Sequence, residues 1–372
     1  MQTIRSASTR LDGPNWIATG GAEALKPHLR RMPNNDLTNA ASNGTLGSLP
    51  TGMLNAASLT AKNASGYTAL HAAAKHGGLK DLPRGLLSPE LLAVKTSIGY
   101  TPLHHAAIGG HLDQVPPEFL TREALSQRSN AGYTVFHMAA ANGHLDQVPA
   151  GLLTKEVFVS QTAVGNTLLH EAAENGTLDR IPGQPITAET LAMKNLGGET
   201  VLHVAAFNGH LDQVPAPLIT AAALRETTSS GDTVFHAAAV SGHIGQIPPE
   251  FVTRENLVIA SKTGFTAIHA AAETGQLDRI PRSQITAELL LTRNDSGDTP
   301  LHAAAFEGHL DQVPPELLTF ANLATRNYDG VSVAQTACDR GYLSQVPEQA
   351  RPKSMSPFRL FLRRLGKMRM PF

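Results

Sequence analysis

A histidine returns every 33 residues, eight times in strict phase: His71, His104, His137, His170, His203, His236, His269 and His302. Each sits in the phrase Gly-x-Thr-x-(Leu/Phe/Ile)-His-x-Ala, as in Gly297-Asp298-Thr299-Pro300-Leu301-His302-Ala303. A fixed period of this length is one supersecondary unit copied and stacked. It excludes a single globular core and predicts a solenoid. One period outside the ladder lie two worn copies without the histidine, Leu37 to Leu46 and Gly330 to Ala337. End units have only one neighbour and must show a wetter face, so worn ends are what such an array needs. The expected organisation is a leader over residues 1–33, about ten 33-residue repeats over 34–347 and a tail over 348–372.

The unit reads as all-α. The glycine five before each histidine suits a positive φ, and the threonine two residues later suits a helix N-cap. The apolar residue before the histidine and the alanines after it share one helix face, and small alanines let neighbouring helices approach. The glycine six after the histidine, from Gly77 to Gly341, suits a C-cap. The second half reads Leu-Asp-Gln-Val-Pro, and its proline stands in every unit from Pro50 to Pro347. Proline lacks an N–H and clashes with the preceding turn, so it ends any helix there. A new start follows, as in Ser88-Pro89-Glu90 or Thr121-Arg122-Glu123. The predicted unit is a turn, one helix, a Pro-terminated half helix and a second short helix.

The run Gly-x-Thr-Pro-Leu-His-x-Ala-Ala-x-x-Gly-His-Leu resembles the ankyrin repeat, and Gly99 to Leu112 and Gly297 to Leu310 match it almost letter by letter. The resemblance covers roughly residues 34 to 347. It implies an all-α, ankyrin-like helical solenoid with a family-like inner helix and turn. The proline is the systematic departure, since an ankyrin outer helix normally runs on past this point. The Leu-Asp-Gln-Val-Pro half is similar to bacterial ankyrin-type arrays.

The histidine ladder does not read as a metal site. Packed helices lie about 8–10 Å apart, whereas two imidazole nitrogens on one ion must each sit about 2 Å from it. The resemblance implies a structural imidazole bonded to backbone of its own or the next unit. The single cysteine, Cys338, stands at a helix-alanine place with no phased histidine and aspartate around it, so it reads as a small buried residue. No phosphate-cradling glycine loop or zinc-spaced motif occurs. Eight units without an insertion leave no room for a grafted active site. A non-enzymatic protein with no cofactor and no metal is expected.

What varies between units is informative. Four residues before the histidine stand Tyr67, Tyr100, Tyr133, Asn166, Glu199, Asp232, Phe265 and Asp298. Four after it stand Lys75, Ile108, Ala141, Glu174, Phe207, Val240, Glu273 and Phe306. The resemblance implies that both rows face the concave groove and bind partners. The groove is then aromatic in its first half, a line of equal tyrosine anchors, and acidic with scattered phenylalanine in its second. The partner residues so expected are Tyr67, Tyr100, Tyr133, Ile108, Glu199, Phe207, Asp232, Phe265, Asp298 and Phe306.

Charge is uneven along the chain. Residues 51–347 hold 18 Lys and Arg against 27 Asp and Glu; residues 348–372 hold seven basic residues and one acidic. An acidic body is a poor polyanion binder, so no nucleic acid is expected. In the tail, Phe358, Phe361, Leu362 and Leu365 recur at helical spacing, with Arg359, Arg363, Arg364 and Lys367 on the other side. This basic amphipathic pattern suits a partner groove or weak contact with an anionic membrane. Alternatively, its apolar side covers the last repeat. The leader, mixed in Ser, Thr, Gly and Pro, reads as disordered. One cysteine and no signal-peptide run point to a cytoplasmic, reducing compartment, and the leader is also compatible with secretion into a host cell. The main expectation is a protein–protein interaction scaffold whose groove holds a partner protein. The alternative is a secreted bacterial effector that reaches a host protein or membrane through the array and basic tail.

Overall fold

The structure is a computed structural model and describes residues 34–351 apart from positions 84 and 184; the leader and the basic apolar part of the tail lie outside the described residues. Inner helices recur once per period: Ala69–His76, Pro102–Gly109, Val135–Ala141, Leu168–Asn175, Val201–Asn208, Val234–Ser241, Ala267–Glu273 and Pro300–Glu307. Asn34–Ser42 precedes them and Val333–Arg340 follows. Each packs mainly on the inner helix before and the one after it, which is the contact pattern of a solenoid. Among the described residues there are no strands, only isolated antiparallel bridges such as Lys194 with Thr200 at the foot of a turn.

Local chemistry sets the unit. Gly99 has φ +85, and a Cβ there would lie 2.8 Å from the amide nitrogen of Asn130 in the next unit, so only glycine fits. The turns are joined tip to tip by single backbone bonds: Asn130 N–H to the Ile98 carbonyl, Ala163 to Ala131, Leu196 to Val164. Thr101 caps the inner helix, its hydroxyl accepting from the His104 N–H, and Gly110 closes it in the left-handed region. The apolar residue before each ladder histidine is buried throughout, from Leu70 to Leu301, as are the alanine pairs such as Ala106 and Ala107. Each such Leu or Phe contributes about 2 kcal/mol of transfer free energy.

The second half departs from expectation. The half helix is a single 3-10 turn, Leu112–Gln114 in the His104 unit, with its leucine in the core. Val115 then turns extended and Pro116 starts another 3-10 turn, Pro117–Phe119. Only then does the four-residue helix Arg122–Leu125 form, capped by Thr121 and burying Leu125. The proline has no N–H to continue the ladder, so the outer layer becomes three short pieces instead of two helices.

These pieces are bound across units. Gln147 accepts from the Leu112 N–H at 2.9 Å and donates to the Gly110 carbonyl at 2.9 Å. Gln213 does the same to Leu178 and Gly176. The glutamine of Leu-Asp-Gln-Val thus closes the end of the preceding inner helix. Exposed ion pairs, Lys155 with Glu189 and Arg282 with Glu316, add a thin outer lacing worth little each. The same pattern carries on to a final 3-10 turn, Glu348–Ala350, which buries Ala350 three residues past Pro347.

Candidate partner-binding surface

The ladder histidines form the floor. In the His203 unit, Nδ1 lies 2.8 Å from the Thr200 hydroxyl and 3.2 Å from the Thr200 N–H, and Nε2 lies 3.1 Å from the Asp232 carbonyl. A carbonyl can only accept, so Nε2 carries the proton and Nδ1 accepts. The imidazole therefore fills the place of the glutamate in a capping box and donates onward to the next unit. Seven of the eight ladder histidines reach the carbonyl 29 residues on. His137 bonds the Ser160 carbonyl at 3.2 Å instead. Burial lowers six of them, from His71 to His269, to about 4. With both nitrogens engaged, these rings are bolts between units. Cys338 is buried in the last inner helix.

Residues 296–328 match the ankyrin-repeat family model. This unit is similar to an ankyrin repeat. The same phrase recurs in phase in the seven units before it, each with the same turn and inner helix, so the array is an ankyrin-like helical solenoid. No curated protein matches the chain. Ankyrin repeats are typically non-enzymatic modules that mediate protein–protein interaction.

Across the inner-helix face of the array, the three tyrosines are not equivalent. Tyr100 is 7% exposed, its ring stacked on His104 at 5.3 Å. Tyr67 and Tyr133 are half-buried and keep an open edge. Burial raises the Tyr67 hydroxyl to about 12. Ile108, Phe207 and Phe265 are half-buried as well, while Phe306 is 40% exposed. The Arg340 guanidinium lies over the Phe306 ring at 3.8 Å. Of the acidic residues, Glu199 is held by Asn195 Nδ2 at 2.8 Å and Asp298 by Asn327 Nδ2 at 2.8 Å. Asp232 is half-buried, which raises its carboxyl. The tail residues Phe358, Arg359, Phe361, Leu362, Arg363, Arg364, Leu365 and Lys367 lie outside the described residues.

Three features escaped the reading of the sequence. The residue directly after each ladder histidine packs beneath this surface, and it varies: Ala72, His105, Met138, Glu171, Val204. Glu171 is 4% exposed, takes a hydrogen bond from Asn166 at 3.0 Å and bonds the Tyr133 hydroxyl; burial pushes its carboxyl up to about 7. His105 lies edge-on to Tyr67 at 5.1 Å and to His71 at 5.3 Å, with both ring nitrogens sealed and without a hydrogen-bond partner. Burial, then the neighbouring His71 and Lys75, pushes it well below the usual imidazole range. The third feature is apolar turn tips: Ile98, Val164 and Leu196 are more than half exposed. A comparison of the residue after each histidine would have flagged the first two. The third needed the geometry of the turns.

Proposed function

We propose that the protein is a non-enzymatic scaffold that holds a partner protein along its concave face. The observation that carries this reading is the placement of variation. Two rows of this face change identity from unit to unit, the turn row with Tyr67 and the helix-end row with Phe306, and the row packed beneath them, with His105 and Glu171, changes too. The cap, core and bridge positions repeat almost unchanged. A surface that keeps its frame and varies its lining is what a recognition surface requires. Tyr67, Tyr133 and Ile108 supply aromatic and aliphatic anchors in the first half, with the tips Ile98 and Val164 beside them. Phe207, Phe265 and Phe306 alternate with Glu199, Asp232 and Asp298 in the second. The acidic body disfavours nucleic acid as the partner. A reducing, cytosol-like compartment suits the lone buried Cys338.

The test is capture of a partner by the full chain from a cytosolic extract, repeated with Tyr67→Ala and Tyr133→Ala together. Tyr100 is left intact because its ring is packed in the floor. Loss of one band by about tenfold or more, with an unchanged circular dichroism spectrum, supports the reading. Undiminished capture moves the binding surface to the outer face.

A further inference from the structure

The second half of the concave face combines open apolar side chains with carboxylates that stand outside the close ion pairs between described residues. Val240 and Phe306 are exposed and Phe207 and Phe265 half-buried. Beside them stand Glu174, Glu199, Asp232, Glu273 and Glu307. None of these takes part in the four ion pairs between described residues, all of which lie on the outer pieces and the turns that follow them. Glu174 and Glu273 are pushed up by burial and then by the charges of Glu199 and Glu307. The face of Phe306 already accepts a guanidinium, that of Arg340. At the far end of the array, the inner helix Ala69–His76 carries Lys75 and His76 in its last turn instead.

We infer that the chain's own segment from Phe358 to Met368 occupies this half of the groove. Residues 352–372 hold six basic residues and no acidic one, and they alternate apolar and basic groups. Eleven residues in helical form span about 16 Å, two units at about 10 Å each. The described chain stops at Arg351, at the end of the array next to this half, and the six residues 352–357 reach up to about 20 Å when extended. A tether this short places the segment at an effective concentration of about millimolar, which makes even weak complementarity productive. The inference rests on the concave face being the binding surface, and it adds that a partner must displace the tail to bind the second half.

The test uses the full chain with a photoreactive phenylalanine analogue at position 361. Cross-links within the chain are expected between residues 265 and 307, the two units that the tether reaches. The pair Glu273→Arg and Glu307→Arg should lower their yield about tenfold, Arg363→Glu with Arg364→Glu should do the same, and the four changes together should restore it. Cross-links confined to residues 332–350, none at all, or yields indifferent to the charge swaps overturn the inference. So does retention on phosphatidylserine vesicles without an internal cross-link, which assigns the segment to a membrane. The yield reads the tail whether or not a partner is captured, so failure here and failure of groove binding are separate results.

Discussion

At the residue scale the ladder histidine does three jobs with two nitrogens. It accepts from its cap threonine, spaces the turn and donates to the next unit, all in neutral form. Charging it would cost both burial and the Nδ1 bonds. Six of these rings sit at about 4, against 6.5 for an ordinary imidazole. A lowered folded value means the unfolded chain takes up protons first. Stability is therefore full above about pH 6.5 and falls as the pH drops toward 4. At pH 5.5 each ring costs about 1 kcal/mol, so the urea midpoint should fall steeply between pH 7.5 and 5.5. A flat midpoint across that range refutes the buried neutral ladder. Glu171 works with the opposite sign. Its folded value is raised to about 7, so its contribution is present below about 4.5 and is lost as the pH rises through 7. Glu171→Gln should stabilise the protein by about 2 kcal/mol at pH 8 and much less at pH 5, read from denaturant midpoints at the two pH values.

At the element scale the outer layer shows why one glutamine matters more than the aspartate beside it. Asp212 faces water, while Gln213 joins two backbone groups of the preceding unit. Where arginine stands in that place, the same two groups are met by other atoms. Arg279 donates to the Gly242 carbonyl at 2.8 Å, and Gln276 accepts from the Ile244 N–H at 3.1 Å. Two unrelated side chains meeting one demand marks it as structural. Gln213→Ala should cost about 2 kcal/mol by leaving both groups unpaired, and Asp212→Ala under about 0.5. Equal costs in thermal melts would show the bridge to be idle. The aspartate was legible in the sequence as a first-turn acid. The glutamine bridge was not, because its partners lie 35 and 37 residues back.

At the scale of the whole molecule, stability is a sum of units and nearest-neighbour interfaces. A break in the middle should uncouple the ends. Three of the five tyrosines, Tyr67, Tyr100 and Tyr133, lie in the first half, so their emission reports mainly on it, whereas circular dichroism reports on the whole. The two urea midpoints should coincide in the native chain and separate when His203→Ala and Gln213→Ala are combined. Coincident midpoints in that variant would mean cooperativity runs farther than one interface.

The period, the caps, the glycine turns and the proline break all act within a few residues of themselves, and for that reason the turn, the inner helix and the stacking of units were legible in the sequence alone, the outer half only as a break. Accessibility was decided elsewhere. Tyr67, Tyr100 and Tyr133 occupy one place in the repeat, yet only Tyr100 is buried in the core. What covers a groove side chain belongs partly to its own helix and partly to the next unit: His105 beside Tyr67 and Tyr100, Glu171 beside Tyr133. Those neighbours vary independently along the chain. They become neighbours only when the array is stacked, so burial, carboxyl ionisation and the choice of open anchors belong to the tertiary structure.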